Sequence, residues 1–239
     1  MNIDLYRIFN AVGDSVILCT LIKEYGIKTI TYNRADLDAM KSVMKYYDCD
    51  VEFKRRTDQG LITPHMHDYV RALYDNKIQL AIPKVWRSPE YTTRQTGSFQ
   101  NNAADRAMTM YEHNRYVRHF DATSVDVVNA KTIPDMFECL SKSMHHISID
   151  SGTAWAAASM GIPTTVYSKN SYYFSDAYFY MQYLDSQPSV DVYQQDNKGV
   201  KVANELQFKT AISVNKARLE VSGYETYRNR INERSKIQW

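Results

Sequence analysis

Short apolar segments rich in β-branched residues alternate with segments of helical period along most of the first 170 residues. In the amino-terminal part, strands are expected at residues 5–10, 28–32, 49–53 and 78–82, and helices at residues 15–25, 36–47 and 67–74. A tight turn is expected at residues 11–14, and Gly26 is placed to end the first helix. This β-α-β order predicts parallel strands joined by right-handed crossovers, and therefore an α/β fold.

The alternation resumes after a segment bracketed by Pro83 and Pro89, where proline disfavours regular structure. Here strands are expected at residues 91–95, 126–128, 146–149 and 161–167, and helices at residues 103–113, 133–141 and from about Thr153 onward. Thr132 is placed to cap the helix at 133–141, and Pro134 suits its first turn. We therefore expect a domain boundary near residue 88, a second unit at 89–170, and an aromatic and then helical tail at 171–239.

Composition excludes several classes of protein. The formal net charge of +2 is too close to neutral to favour a nucleic-acid-binding surface. The three cysteines, Cys19, Cys49 and Cys139, have no paired spacing, so neither a disulfide framework nor a zinc knuckle is predicted. Because no apolar run reaches the length of a membrane-spanning helix and no export signal is visible, we expect a cytoplasmic protein with no membrane span.

The most informative stretch passes from an apolar strand at 147–149 through a small polar turn into an alanine-rich helix; the turn consists of Asp150, Ser151, Gly152 and Thr153. Gly152 permits close approach of a ligand to the backbone, and the positive end of the helix favours an anion such as a diphosphate. In open parallel sheets, ligands bind at this carboxyl edge. Spacing alone leaves an alternative open, in which Asp150 or Ser151 only caps the helix.

Two parts of this sequence resemble one enzyme family. Residues 128–133 and 146–164, which include Asp150-Ser151-Gly152 and Gly161-Ile162-Pro163-Thr164, resemble the carboxyl-terminal half of heptosyltransferase-like glycosyltransferases, the ADP-heptose:LPS heptosyltransferase type. Gly13-Asp14 also resembles the Gly-Asp turn of that family. The chain departs from the family pattern in having Trp155 where the family has histidine, and in being shorter, so its first domain is reduced.

The resemblance implies a GT-B-like fold, in which two Rossmann-like domains with parallel sheets face each other across a cleft. Residues 1–88 would be the acceptor-side domain and residues 89–170 the donor-binding domain, with the tail at 171–239 packing back on both. It implies a glycosyltransferase that is inverting and independent of metals. Its partners would be a nucleotide sugar and an acceptor saccharide or other hydroxyl-bearing acceptor, and it would need no cofactor beyond the donor.

The resemblance also assigns roles to individual residues. Asp14 would take the proton from the acceptor hydroxyl. The donor would be held by two facing turns and one ring, namely Thr96, Gly97, Ser98, Asp150, Ser151, Gly152, Thr153 and Trp155. Basic side chains flanking the expected cleft would neutralise the diphosphate leaving group, namely Lys84, Arg87 and Arg94. For these three residues, an exposed linker charge is an equally good interpretation.

Other patterns are interpreted as structural. Adjacent residues on a strand point to opposite faces, so His145 and His146 are not expected to share a metal ion. The aromatic runs at 172–174 and 178–180 favour packing over stacking on a base or sugar. Two functional alternatives remain: a noncatalytic nucleotide-sugar-binding module of the same fold, and a glycosyltransferase acting on a modified base in DNA, as some viral enzymes do.

Overall fold

The computed structural model describes residues 2–5, 11–32, 37–55, 66–95, 124–127, 130–169 and 177–195 of the 239-residue chain. The expected helix at 103–113, the turn at Thr96, Gly97 and Ser98, and the tail after residue 195 lie outside these ranges. Within the described part of the chain, no helix combines the length and the apolarity needed to cross a membrane.

The first sheet has three parallel strands in the order β1-β2-β3. The strands are β1 (Asn2–Leu5), β2 (Thr29–Tyr32) and β3 (Glu52–Arg55). Helices α1 (Val12–Tyr25) and α2 (Asp38–Tyr46) lie between them in the chain, and α3 (Met66–Asp75) follows.

The second sheet has five parallel strands in the order β5-β4-β6-β7-β8. The strands are β4 (Tyr91–Gln95), β5 (Val125–Asp126), β6 (Ser143–Ile149), β7 (Thr164–Lys169) and β8 (Val190–Gln195). The helices are α4 (Ile133–Ser141), α5 (Gly152–Ser159) and α6 (Ala177–Asp185). The predicted α/β class with parallel sheets is therefore confirmed.

Two helix ends follow the predicted chemistry closely. Gly26 ends α1 in the left-handed conformation, with a φ of 59°, and its amide donates to the carbonyl of Ile22. At α4, the Thr132 hydroxyl accepts from the amide of Asp135 at 3.2 Å, and the Asp135 carboxylate accepts from the amide of Thr132 at 3.1 Å. This reciprocal pair satisfies two amides that a helix start leaves without intrahelical partners.

The beginning of the chain differs from the prediction. The first described strand is Asn2–Leu5, and residues 6–10 of the strand expected at 5–10 lie outside the described residues. Helix α1 begins at Val12, so Gly13 and Asp14 belong to its first turn. The expected tight turn at 11–14 is therefore wrong. The helix begins here with two hydrogen bonds to the carbonyl of Ala11, one from the amide of Ser15 at 3.0 Å and one from its hydroxyl at 2.7 Å.

Residues 78–82 were expected to form a strand, and this prediction is also wrong. The amide of Leu80 donates to the side-chain carbonyl of Gln187 at 2.9 Å, and the amide of Ala81 donates to the hydroxyl of Thr20 at 3.0 Å. Distant side chains thus satisfy the amides that a neighbouring strand would otherwise pair. Strand β8 and helix α6, by contrast, lie in the segment expected as a tail, and β8 extends the second sheet.

The helices of the two sheets pack directly against one another. Helix α1 is buried along most of its length, as its apolar sequence on all sides requires, and it lies against α5. The ring of Tyr46 at the end of α2 stacks on Phe137 of α4, with ring centroids 4.1 Å apart. The buried hydroxyls of Tyr47 and Ser159 are 2.5 Å apart. Apolar residues from both sheets therefore share one core.

Candidate functional site

The Gly13-Asp14 segment and the turn at 150–153 lie in contact, although one follows a strand of the first sheet and the other follows a strand of the second sheet. A Cβ placed on Gly152 would lie 2.7 Å from the Cβ of Val12 and 3.1 Å from the amide nitrogen of Gly13. A Cβ placed on Gly13 would lie 2.9 Å from Cδ1 of Trp155. Side chains do not approach that closely, so glycine at both positions lets the first turns of α1 and α5 meet.

Exposure divides the residues of this contact into two groups. Asp14, Asp150, Ser151 and Gly152 are partly exposed, so a ligand can reach them from solvent. Thr153 and Trp155 are buried, with 2% and 3% of their surface exposed. The expected donor contacts thus include two side chains that lie inside the protein.

Gln95, the last residue of β4, links Thr153 to Ser151 in the turn that starts α5. The side-chain carbonyl oxygen of Gln95 accepts a hydrogen bond from the hydroxyl of Ser151 at 2.8 Å, and another from the hydroxyl of Thr153. The hydroxyl of Ser148 lies 2.9 Å from that of Ser151. Ser151 occupies the N-cap position of α5 but makes no side-chain bond to the helix amides. Its hydroxyl faces Gln95, so the first amides of α5 have no side-chain cap from Ser151.

His146 extends this polar network through the sheet. Its Nε2 lies 3.0 Å from the hydroxyl of Thr153, and its Nδ1 lies 2.9 Å from the hydroxyl of Thr93, which is 2.7 Å from the hydroxyl of Ser143. Burial, with the neighbouring His145 adding to it, lowers the pKa of His146 to about 3. The ring is therefore neutral at physiological pH, with one nitrogen donating and the other accepting. As predicted, His145 points to the opposite face, where its Nε2 lies 2.9 Å from the hydroxyl of Thr165.

Asp14 is held by a residue of α6. The phenol of Tyr180 donates a hydrogen bond to the Asp14 carboxylate, and burial together with this carboxylate raises the pKa of Tyr180. The ring of Tyr180 also meets that of Trp155 edge to face, with centroids 6.0 Å apart. Helix α6 thus contacts both the carboxylate expected as the base and the ring of Trp155.

Trp155 has a packing role in the structure. Its ring lies against Gly13 and between Tyr180 and Tyr183, with the Tyr183 centroid 6.1 Å away. A base or sugar would have to displace one of these neighbours to stack on the indole. The ring of Trp155, which was expected to contact the donor, therefore does not face the exposed side of the site.

The three basic residues lie apart from the contact of the two turns. Lys84 binds Asp48 with Nζ and Oδ2 2.7 Å apart, and its ammonium holds the pKa of that carboxyl below its usual value. Arg87 donates to the carbonyl of Ser143 at 2.6 Å, at the amino end of β6 and thus roughly 20 Å from its carboxyl end. Arg94 faces Asp126, with Nε and Oδ2 3.7 Å apart, on the face opposite Gln95. The structure does not bring these charges together with the turns.

Sequence reasoning missed the side chains that support the site, namely Thr93, Gln95, Ser148 and Tyr180, and it gave His146 no role in positioning the turn. A signal for part of this set was present, because β4 and β6 carry several polar residues, whereas strands covered on both faces are usually apolar. Tyr180 lies in the aromatic run at 178–180, which the sequence assigned to packing and not to a contact with Asp14. Among the residues that the structure describes, no group of three His, Cys, Asp or Glu side chains is placed to hold a metal ion.

No model of a known protein family, no curated protein and no solved structure matches the chain. The resemblance to the heptosyltransferase-like enzymes therefore stays a prediction. The contact between the first turns of α1 and α5, together with the residues that hold them, forms the candidate functional site.

Proposed function

We propose that the protein is a glycosyltransferase that moves a sugar from a nucleotide-sugar donor to an acceptor hydroxyl, with inversion and without a metal ion. The observation that carries the proposal is the contact between Gly13, the residue before Asp14, and Gly152, in the turn that starts α5. An acceptor-activating carboxylate and a donor-binding turn must face the same space for such a transfer. In this proposal the arrangement is a compact GT-B-like one, with the cleft confined to the edge where the two turns meet.

The start of α5 is proposed as the donor-binding side. A helix start carries partial positive charge and amides that lack intrahelical partners, which suits a diphosphate. The side chain of Ser151 does not cap those amides, and Gly152 has no side chain to cover them. The network through Gln95 and Thr153 holds this turn in place before a ligand arrives, so little ordering is required on binding. Asp150 and Ser151 are exposed enough to contact the sugar or its phosphates.

Asp14 is proposed as the general base. The acceptor hydroxyl would give its proton to the carboxylate while its oxygen attacks the anomeric carbon, and the bond from that carbon to the diphosphate would break. Tyr180 orients the carboxylate through one hydrogen bond, and a carboxylate has acceptor capacity for several. The positive ends of α1 and α5 would stabilise the departing diphosphate, a role first assigned to Lys84, Arg87 and Arg94.

The test is an Asp14→Asn variant assayed with donor sugars carrying uridine, guanosine, cytidine or adenosine diphosphate. Release of the nucleoside diphosphate measures turnover, and calorimetry measures binding. The variant should lose transfer by about 10²- to 10⁴-fold while its affinity for the diphosphate changes little. Asp38→Asn is the matched control, because Asp38 also lies in the first turn of a helix but is exposed and remote from α5. Undiminished turnover by the Asp14 variant would remove Asp14 from the mechanism.

A second candidate is a noncatalytic module that binds a nucleotide sugar. The phenol of Tyr180 favours it, because a hydrogen bond donated to a carboxylate stabilises the charged form and makes it a weaker base. The buried indole of Trp155 in place of the family histidine points the same way. Calorimetric binding of a nucleotide sugar without any release of diphosphate, across a panel of acceptors, would support this candidate over the enzyme.

A further inference from the structure

Cys19 and Cys49 lie far apart in the sequence but meet in the fold. Cys19 is fully buried in the middle of α1, and Cys49 is half-buried between α2 and β3. The thiol of Cys49 lies 3.9 Å from the carbonyl oxygen of Cys19 and 3.7 Å from that of Tyr47. The sulfur of Cys49 therefore lies beside the backbone of Cys19. The contact between these two residues is one that the spacing of the cysteines in the sequence does not reveal.

The two sulfur atoms differ in character. The hydrogen bond from Cys19 lowers the pKa of Cys49, outweighing the effect of burial, and the nearby charge of Lys23 acts in the same direction. Burial raises the pKa of Cys19 well above its ordinary value. Because the thiolate is the reactive form, Cys49 is the more nucleophilic and the more accessible of the two. Cys19 stays protonated beside it.

We propose that Cys49 and Cys19 form a redox-reactive pair, in which Cys49 reacts with a peroxide and Cys19 then closes a disulfide. In the first step, the Cys49 thiolate attacks a peroxide oxygen, the O–O bond breaks, and hydroxide leaves and takes up a proton to form water. Cys49 is then a sulfenic acid. In the second step, Cys19 loses its proton, its sulfur attacks the Cys49 sulfur, the S–O bond breaks, and a second water leaves. Two thiols are thus oxidised to one disulfide as one peroxide is reduced to two waters. This inference does not depend on the proposed function.

Cys139 supplies the internal comparison. It is half-buried like Cys49, but burial raises its pKa and no second thiol lies beside it among the described residues. Its sulfur accepts only a long contact of 4.0 Å from the phenol of Tyr91. Exposure alone would make Cys139 and Cys49 react alike, whereas the proposed pair makes Cys49 react first.

The experiment treats the fully reduced chain with one equivalent of hydrogen peroxide and maps the peptides by mass spectrometry without reduction. Two of the three free thiols should be lost, with a peptide cross-linked between Cys19 and Cys49 and with Cys139 still reduced. Cys139→Ser should form the same cross-link at the same rate. In Cys49→Ser, Cys19 should stay reduced. Oxidation of Cys139 before Cys49, a sulfinic acid at Cys49 with Cys19 still a thiol, or disulfides only between chains would each overturn the proposal. If the Cys49 variant does not fold, the wild-type and Cys139→Ser maps decide alone.

Discussion

Replacement of Gly152 by alanine tests the contact on which the candidate site depends. Gly152 does not have a left-handed backbone, so alanine brings no backbone strain, and within a helix it is favoured over glycine by roughly 0.5–1 kcal/mol. Against this gain, the added methyl would sit 2.7 Å from the Cβ of Val12 and 3.1 Å from the Gly13 nitrogen. The backbone of α1 cannot move away from the added methyl by rotating about a side-chain bond, as a flexible side chain could.

The expected magnitude follows from these opposing terms. Overpacking of a tight contact costs about 1–3 kcal/mol and the helix gain offsets part of it, so we expect Gly152→Ala to destabilise the protein by up to about 2.5 kcal/mol, with a central value of about 1 kcal/mol. For a chain of this length, the central value corresponds to a fall in Tm of roughly 2–4 °C. The change should also widen the gap between α1 and α5, and therefore weaken binding of a diphosphate more than the loss of stability alone would.

A double-mutant cycle separates this steric cause from others. Val12→Gly removes the Cβ that the new methyl meets, so the pair Val12→Gly and Gly152→Ala should be less destabilised than the sum of the single variants. Gly26→Ala is the control, because no heavy atom lies within 4 Å of its added Cβ and its cost, about 1–2 kcal/mol, comes from the left-handed backbone. Val12→Gly should not relieve that cost. Thermal unfolding followed by circular dichroism measures the stability of each single and double variant. If Gly152→Ala melts at or above the wild-type temperature, or the cycle is additive, the two turns do not meet as described.

Two further predictions concern buried polar groups. The folded pKa of His146 is about 3 against 6.5 for the free side chain, so the unfolded state takes up a proton first as pH falls. Stability present above pH 6.5 should therefore be lost at up to about 1.4 kcal/mol per pH unit below it, and urea titrations should show His146→Gln lacking this loss. The second prediction concerns the hydrogen bond between Tyr47 and Ser159. Ser159→Ala should lower the free energy of unfolding by about 1–3 kcal/mol, more than Tyr47→Phe does, because it leaves the buried phenol of Tyr47 without its partner. Tyr47→Phe should cost about 1 kcal/mol, because Ser159 still donates to the carbonyl of Ala156; equal losses in denaturant unfolding would contradict this.

Local sequence signals predicted the elements whose ends are set by neighbouring residues. The bounds of β4 and the start of α4 agree with the structure, because a proline, a capping threonine and a β-branched run act over a few residues. The failed strand at 78–82 shows the limit of such signals. Its apolar residues fit a strand, but its amides bind side chains at positions 20 and 187, which no local pattern reveals. Helix α6 was missed for a related reason, because its many aromatic residues obscured the helical period.

The candidate site shows the same division between what the sequence reveals and what it does not. Both glycines were visible in the sequence: Gly152 as a position that permits close approach of a ligand to the backbone, and Gly13 as part of a Gly-Asp pair that resembles a family turn. In the structure, each glycine is also required by the other turn, since Val12 lies on Gly152 and Trp155 lies on Gly13. A side chain at either position would part α1 from α5 and move the segment of Asp14 away from the turn that starts α5. The ring of Trp155 fills the space beside Gly13, which gives a large side chain at position 155 a structural reason. If the proposed function holds, activity and stability should therefore change together when either glycine is substituted.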